Sequence, residues 1–482
     1  MRIVHGVRFR TIMPKSKNNS TASAGAIALT VGFALIGLLA AALAAAIYAR
    51  GLYQDGAYYT LRVAEGEWFY LHDPARTVVQ SLRQAPIVAL SRFSELTLFA
   101  RAQVFTFVML ALPIAFTAAC WFIVPRDQKG WALLPVLHLL LGFSTTSFEA
   151  VGEAAVAAAY VWVLIFLLAF RTRTLASQLM FLALAVWTGK LHEGIILCMP
   201  LLIIICISRA AAAKTWTERL FLVASIAVFS AAAVYQVCWI VFPRVPSAPQ
   251  SAAHAVMAFE FLTFEGRWNL PVVAAALALV ALALIQAVGK SGRSTILVTS
   301  AFIVGCATIV ALALFVDAAI APRAQAQARF NPVFATVLLG SVLAWSLRRG
   351  VAQPVTVAPA VLVVTTVLAV TQVTSDFVAT RFWSEYIRDF RERAANSTGS
   401  IEWSRAAATG DPVRDHIWDV ITIDWTLPIM SIIMAPNGNV KAIFDYPPAT
   451  SFRPFNPGNP DELPVVRGVS YESYRRTLRS DQ

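Results

Sequence analysis

An all-α polytopic membrane protein is what this sequence predicts: about eleven transmembrane helices, a long first extracytoplasmic loop and a small α+β domain at the C-terminal end. Composition is the first reason. Hydrophobic residues make up 58% of the 482 and charged residues 14%, with a mean hydropathy of +0.65. Soluble domains are about half apolar and a quarter charged. Apolar runs of about 20 residues, long enough to cross a bilayer, recur along the chain. The alternating segments of about ten residues that a membrane barrel needs are absent. The third reason is charge, because basic residues gather in every second short loop, as in a chain threaded back and forth.

The elements follow in order. A basic arm, 1–23, precedes a membrane part, 24–375. Apolar runs near 24–49, 102–124, 131–148, 151–170, 176–190, 193–208, 219–242, 270–289, 295–317, 331–347 and 355–374 read as spans. A bend at Lys190 to Glu193 shortens the fifth and sixth. Arg2, Arg8, Arg10, Lys15 and Lys17 precede the first span, which sets the N-terminus in the cytoplasm. The short loops then expected inside carry Arg126 with Lys129, Arg171 with Arg173, and Arg209 with Lys214 and Arg219. Lys290 with Arg293, and Arg348 with Arg349, continue the pattern. The formal net charge of +12 is largely this topology signal and is not read as nucleic-acid binding, while the basic arm also suits contact with anionic lipid. The first apolar run is longer than a cleaved signal core and reads as an anchor. The five cysteines all fall in predicted helices and read as core filling.

Two large pieces lie outside the spans. The first loop, 50–101, is rich in aromatic and charged residues, and Thr77 to Leu98 reads as an amphipathic helix broken at Pro86 and lying in the interface plane. The tail, 376–482, is roughly a hundred residues, enough for a small domain. It opens with an amphipathic helix around Phe382 to Ala395. Further on, Ile429 to Ala435 and Val440 to Tyr446 flank Asn437-Gly438-Asn439, a β-hairpin signal.

Chemistry-bearing residues gather on the outward side. Asp55 stands just past the first span, in Gln54-Asp55-Gly56-Ala57-Tyr58-Tyr59-Thr60-Leu61-Arg62. Ionisable groups at a membrane boundary are costly and read as functional by default; the plain alternative is that Asp55 ends the helix in water. Glu149 and Glu153, four apart, share a helix face. They suit a cation or a sugar hydroxyl, or simply a cap. Lys190-Leu191-His192-Glu193 puts three titratable groups into one bend, as a binding site or as solvated loop charge. Arg323 and Arg329 precede the tenth span, where a guanidinium suits a phosphate or an interface anchor. His72, beside Asp73 and close to Arg76, belongs with Asp55. His138 lies among leucines and reads as a bonded core histidine; Trp403, Trp418 and Trp425 read as core aromatics or as rings for sugar faces. There is no zinc spacing, acidic calcium loop, phosphate-binding loop, nucleophile elbow or dinucleotide fingerprint.

The stretch from Asp55 to Arg62, with Gly66 after it and Arg76 and Pro86 downstream, resembles the first outward loop of the class C integral-membrane glycosyltransferases. The likeness of motif covers about residues 1–100 and is architectural beyond them. It implies a catalytic acid in that loop, here Asp55 as base, and a polyprenyl-phosphate sugar as donor. The implied acceptor is an extracytoplasmic glycan, lipid or protein of the cell envelope. Tyr58, Tyr59, Arg62, His72, Arg76, Glu149, Glu153, His192 and Glu193 then line the substrates, and Lys190, Arg323 or Arg329 receives the lipid phosphate. Many members carry a second acid beside the first, where this chain has Gly56; a divalent cation stays open as a cofactor. The implied setting is a bacterial inner membrane, with the N-terminus cytoplasmic and the tail periplasmic. Three other functions stand beside this one, among them a non-catalytic assembly or sensory protein whose tail is the working part. An envelope polysaccharide ligase or polymerase centres its chemistry on a later outward loop. A lipid or solute transporter places its ionisable residues at the bilayer midplane.

Overall fold

The structure is a computed structural model that describes residues 19–53, 55–93, 95–143, 152–172, 174–241, 324–348, 358–402, 424–445 and 454–480. Numbered over these residues, the helices begin with α1 (Asn19–Ile47), α2 (Asp55–Gly66), α3 (Thr77–Phe93) and α4 (Leu98–Ile123). Then come α5 (Leu133–Phe143), α6 (Glu153–Phe170), α7 (Leu175–Val186), α8 (Met199–Ala212) and α9 (Trp216–Val241). The series closes with α10 (Ala324–Arg348), α11 (Ala358–Asn396), α12 (Leu427–Ile433) and α13 (Glu472–Ser480). Two short strands, β1 (Gly399–Glu402) and β2 (Ala442–Asp445), pair in parallel with Gly399 opposite Ala442.

Six helices among the described residues are long and apolar enough to cross a membrane: Ala24–Ile47, Leu98–Ile123, Glu153–Phe170, Glu193–Ala212, Trp216–Ile240 and Val361–Asn396. Shorter apolar helices occupy Leu175–Lys190 and Pro332–Ala344. The runs expected at 270–289 and 295–317 lie outside the described residues. Burial separates the inner helix from the outer ones. α6 is apolar all round and buried along nearly its whole length, the pattern of a helix at the centre of a bundle. On α1 and α4, by contrast, Leu29, Ile36 and Phe122 are 76%, 70% and 75% exposed. Large apolar side chains facing outward at that density indicate lipid as the surrounding solvent. His138, on α5, is buried and its Nε2 lies 2.9 Å from the carbonyl oxygen of Pro332 on α10, so it is a bonded core histidine.

Two local expectations are corrected. α3 runs through Pro86 as one helix. A proline interior to a helix removes only its own N–H bond and crowds one carbonyl, and packing of α3 on α4 and α6 holds the helix together across it. The hairpin around Asn437-Gly438-Asn439 does not form. Asn437 and Gly438 do take left-handed conformations (φ 51° and 72°), so a tight turn is there. It joins helix α12 to β2 instead of strand to strand, because Leu427-Pro428-Ile429 starts a helix with proline at its tolerated first turn. β2 then takes β1 as its partner. The tail's first amphipathic helix continues without a break from the preceding span, as the C-terminal part of α11.

The tail and the first loop share an apolar core. Leu52, Tyr53, Ala57 and Leu61 pack with Trp383, Tyr386 and Phe390 of α11 and with Ile429, Ile432 and Ile433 of α12. Trp383 Nε1 donates to the carbonyl of Tyr48 at 2.8 Å. Beneath this core, Arg50 is 2% exposed and tied to α11: its Nη1 donates to the Asp376 carbonyl and to Thr380 Oγ1, and its Nη2 meets Asp376 Oδ1 at 3.3 Å. Burial lowers the pKa of Arg50 and Asp376 opposes that, so the guanidinium depends on its carboxylate. Asp376→Ala is expected to lower stability by about 3–5 kcal/mol, the cost of stranding a buried charge. Thermal unfolding in detergent checks this; an unchanged midpoint contradicts the buried pair.

Candidate active site

α1 ends at Ile47, and Ala49 turns the chain in the left-handed region (φ 49°) into a 3-10 turn at Arg50–Leu52. Asp55 then opens α2, where the positive end of the helix dipole favours a carboxylate. It does not close the first span. The turn is tight: a Cβ on Gly56 would lie 1.5 Å from the Gly51 carbonyl oxygen, and one on Gly51 would lie 2.7 Å from Thr106 Oγ1. The backbone of Gly51 instead donates to that Thr106 oxygen at 3.0 Å, docking the turn on α4. Position 56 therefore has no space for a side chain.

On α2, Asp55, Tyr58, Tyr59 and Arg62 fall at i, i+3, i+4 and i+7, one face of the helix. Its buried side leads inward. Tyr59 is buried and its hydroxyl donates to Glu153 Oε1 at 3.2 Å, at the first turn of α6. Burial first, then Glu153 and Asp55, hold the Tyr59 pKa well above its ordinary value, so the phenol keeps its proton. Gln80 Nε2 donates to Tyr59 Oη at 3.1 Å and reaches Glu153 Oε1 at 3.5 Å. Arg83 Nη1 meets the same Glu153 oxygen at 3.3 Å and lies over the rings of Tyr59 and Phe105. Burial lowers the Arg83 pKa, with Glu153, Tyr59 and Asp55 opposing it.

Arg76 is the hub. Asp73 starts its 3-10 turn by accepting from Ala75 N at 2.8 Å, with Pro74 behind it. Arg76 Nη1 donates to Glu153 Oε2 at 2.9 Å, Nε to Glu193 Oε2 at 2.8 Å and Nη2 to Glu193 Oε1; its Nε is also 3.2 Å from Asp73 Oδ2. This fork joins the first loop to α6 and to the bend before α8 in one network. Burial works against the guanidinium, but Glu193 and Glu153 outweigh it and raise its pKa well above the ordinary value. Asp73 is raised, chiefly by burial. His192 is 2% exposed; its Nδ1 accepts from Gly194 N at 3.0 Å and lies 3.8 Å from Glu193.

The outer side of the α2 face is half-open. Tyr58 and Tyr70 share a hydrogen bond of 3.0 Å between their hydroxyls, Arg62 lies 5.1 Å over the Tyr58 ring, and Arg62 is paired with Glu65. His72 stacks on Tyr70 at 5.9 Å. Trp425, from the tail, meets Tyr58 edge-on at 6.3 Å.

Of the residues singled out in the sequence, Asp55, Tyr58, Tyr59, Arg62, His72, Arg76, Glu153, His192 and Glu193 therefore occupy one neighbourhood. Lys190 is exposed on the adjoining 3-10 turn, Trp187–Lys190, which packs against the Pro74–Arg76 turn and α3. Arg329 lies in α10, while Glu149 and Arg323 fall outside the described residues. Tyr70, Gln80 and Arg83 were not singled out. The signal for the last two is a polar stripe, Arg76, Gln80, Arg83 and Gln84, at helical spacing. The structure turns it inward, leaving Gln80, Arg83 and Gln84 each 1% exposed. Among the described residues no group of three or more His, Cys, Asp or Glu side chains could hold a metal ion. The carboxylates that do lie together, Asp73, Glu153 and Glu193, are bound to Arg76. They do not fit a divalent cation. Comparison of the chain with protein-family models, with curated proteins and with solved structures gives no match.

Proposed function

We propose that this chain is a membrane glycosyltransferase that moves a sugar from a polyprenyl-phosphate donor to an extracytoplasmic acceptor, with Asp55 as the base. One observation carries the proposal: a half-buried carboxylate at the start of α2, just past the first span, beside tyrosines and braced by a buried ion network. In the reaction Asp55 takes the proton of an acceptor hydroxyl as that oxygen attacks the anomeric carbon. The bond from that carbon to the phosphate oxygen breaks, and polyprenyl phosphate leaves with the electron pair. Arg76 and Arg83 are engaged by carboxylates, so among the described residues the exposed Lys190 is the cation assigned to the leaving phosphate. The full topology goes with this function: about eleven spans, an N-terminus in the cytoplasm and the tail in the periplasm of a bacterial inner membrane.

Binding of polyprenyl phosphate to the purified full-length protein tests the assignment. Wild type is expected to bind it, and Lys190→Gln to bind about tenfold more weakly, as for a lost hydrogen bond to a charged group. Equal binding by Lys190→Gln removes Lys190 from the phosphate site. No binding by wild type removes the lipid-linked donor.

A further inference from the structure

We propose that the half-open rim where α2, the loop before Asp73 and the tail meet is a saccharide-binding subsite, formed by Tyr58, Arg62, Tyr70, His72 and Trp425. The proposal rests on the transferase function above and gives the acceptor a chemical class: a carbohydrate chain, in preference to a protein side chain or a lipid.

Three observations carry it. First, the rings are close and not sealed. Tyr58 and Tyr70 centroids are 5.5 Å apart, Trp425 is 6.3 Å from Tyr58, and all three are only partly buried, while His72 is exposed. A core aromatic cluster in this chain looks different: Trp383, Tyr386 and Phe390 are each 1% exposed or less. Second, polar groups sit around the rings. The Tyr58 and Tyr70 hydroxyls, the Arg62–Glu65 pair and the His72 ring all lie within this rim. A pyranose has this dual character, with C–H faces that pack on aromatic planes and equatorial hydroxyls that need donors and acceptors. A lipid tail would not use the polar groups.

Third, the rim is continuous with the candidate base, since Tyr58 and Arg62 stand three and seven residues after Asp55 on one face of α2. A saccharide seated on the rings would present its terminal hydroxyl toward that carboxylate. The tail thereby gains a direct role, since through Trp425 it helps to hold the acceptor.

The test is saturation-transfer NMR on the full-length protein in nanodiscs, with maltotetraose, cellotetraose, chitotetraose and a mannotetraose as probes. At least one probe is expected to bind wild type. Trp425→Ala and His72→Ala are each expected to weaken that binding by about tenfold or more, and Trp425→Phe to retain most of it. His72 is exposed, so His72→Ala serves even if Trp425→Ala fails to fold. No probe bound by wild type, or equal binding by wild type and His72→Ala, overturns the subsite. The readout is sugar binding without transfer, so it can fail while polyprenyl phosphate still binds, and succeed while that binding fails.

Discussion

Arg76→Met is expected to be among the most damaging single changes in the membrane part, lowering stability by about 3–5 kcal/mol. The arginine joins Asp73, Glu153 and Glu193, carried by three separate elements. Removing it leaves three carboxylates facing one another at the edge of an apolar bundle, with Arg83 as the remaining guanidinium on Glu153. The variant is expected to unfold at a lower temperature and to lose transfer together with stability. Neutralising the stranded acids separates charge from shape. Arg76→Met combined with Glu153→Gln and Glu193→Gln is expected to recover a substantial part of the lost stability, since groups in one network do not add independently. If the triple variant is no more stable than Arg76→Met alone, the network is not held by charge.

Asp55→Asn is expected to slow transfer by about 10²–10⁴-fold, the usual contribution of a positioned general base. The amide keeps the size of the side chain and cannot accept the acceptor's proton. Asp55 is only half-buried and stands at a helix N-terminus, where asparagine is also accommodated. Stability and donor binding are therefore expected to stay near wild type, with the loss confined to kcat. Near-wild-type turnover in Asp55→Asn removes the residue from the chemistry. A loss that follows unfolding places it in the fold instead.

The membrane helices were legible because a span has to be apolar for about 20 residues, and that requirement appears directly in the order of residues. The bend at Lys190 to Glu193 was legible for the complementary reason, since three charged or titratable side chains interrupt the apolar run. It is realised as successive 3-10 turns, Trp187–Lys190 and Glu193–Cys198. Asp55, Arg76, Glu153 and Glu193 were singled out as costly groups in an apolar chain. Their mutual pairing was not visible, because Arg76 lies 77 residues from one partner and 117 from the other. The orientation of α3 was hidden more deeply. Periodicity shows that Gln80, Arg83 and Gln84 share a face, but not whether that face meets water or a buried carboxylate. Here the polar face is buried against Glu153 and Tyr59, while Leu90 is 40% exposed. The Asn437-Gly438 turn shows the same limit. Its local geometry is as expected, and the element before it is decided by packing against α2.

Release of polyprenyl phosphate is the most direct measure of the central claim. Wild-type protein in nanodiscs would be given polyprenyl-phosphate monosaccharides of several sugars, together with an envelope glycan extract as acceptor, and the freed lipid phosphate quantified over time. Time-dependent release from at least one donor, with the sugar appearing on the extract, is the predicted result. No release from any donor, with correctly folded protein and bound lipid phosphate, would contradict it.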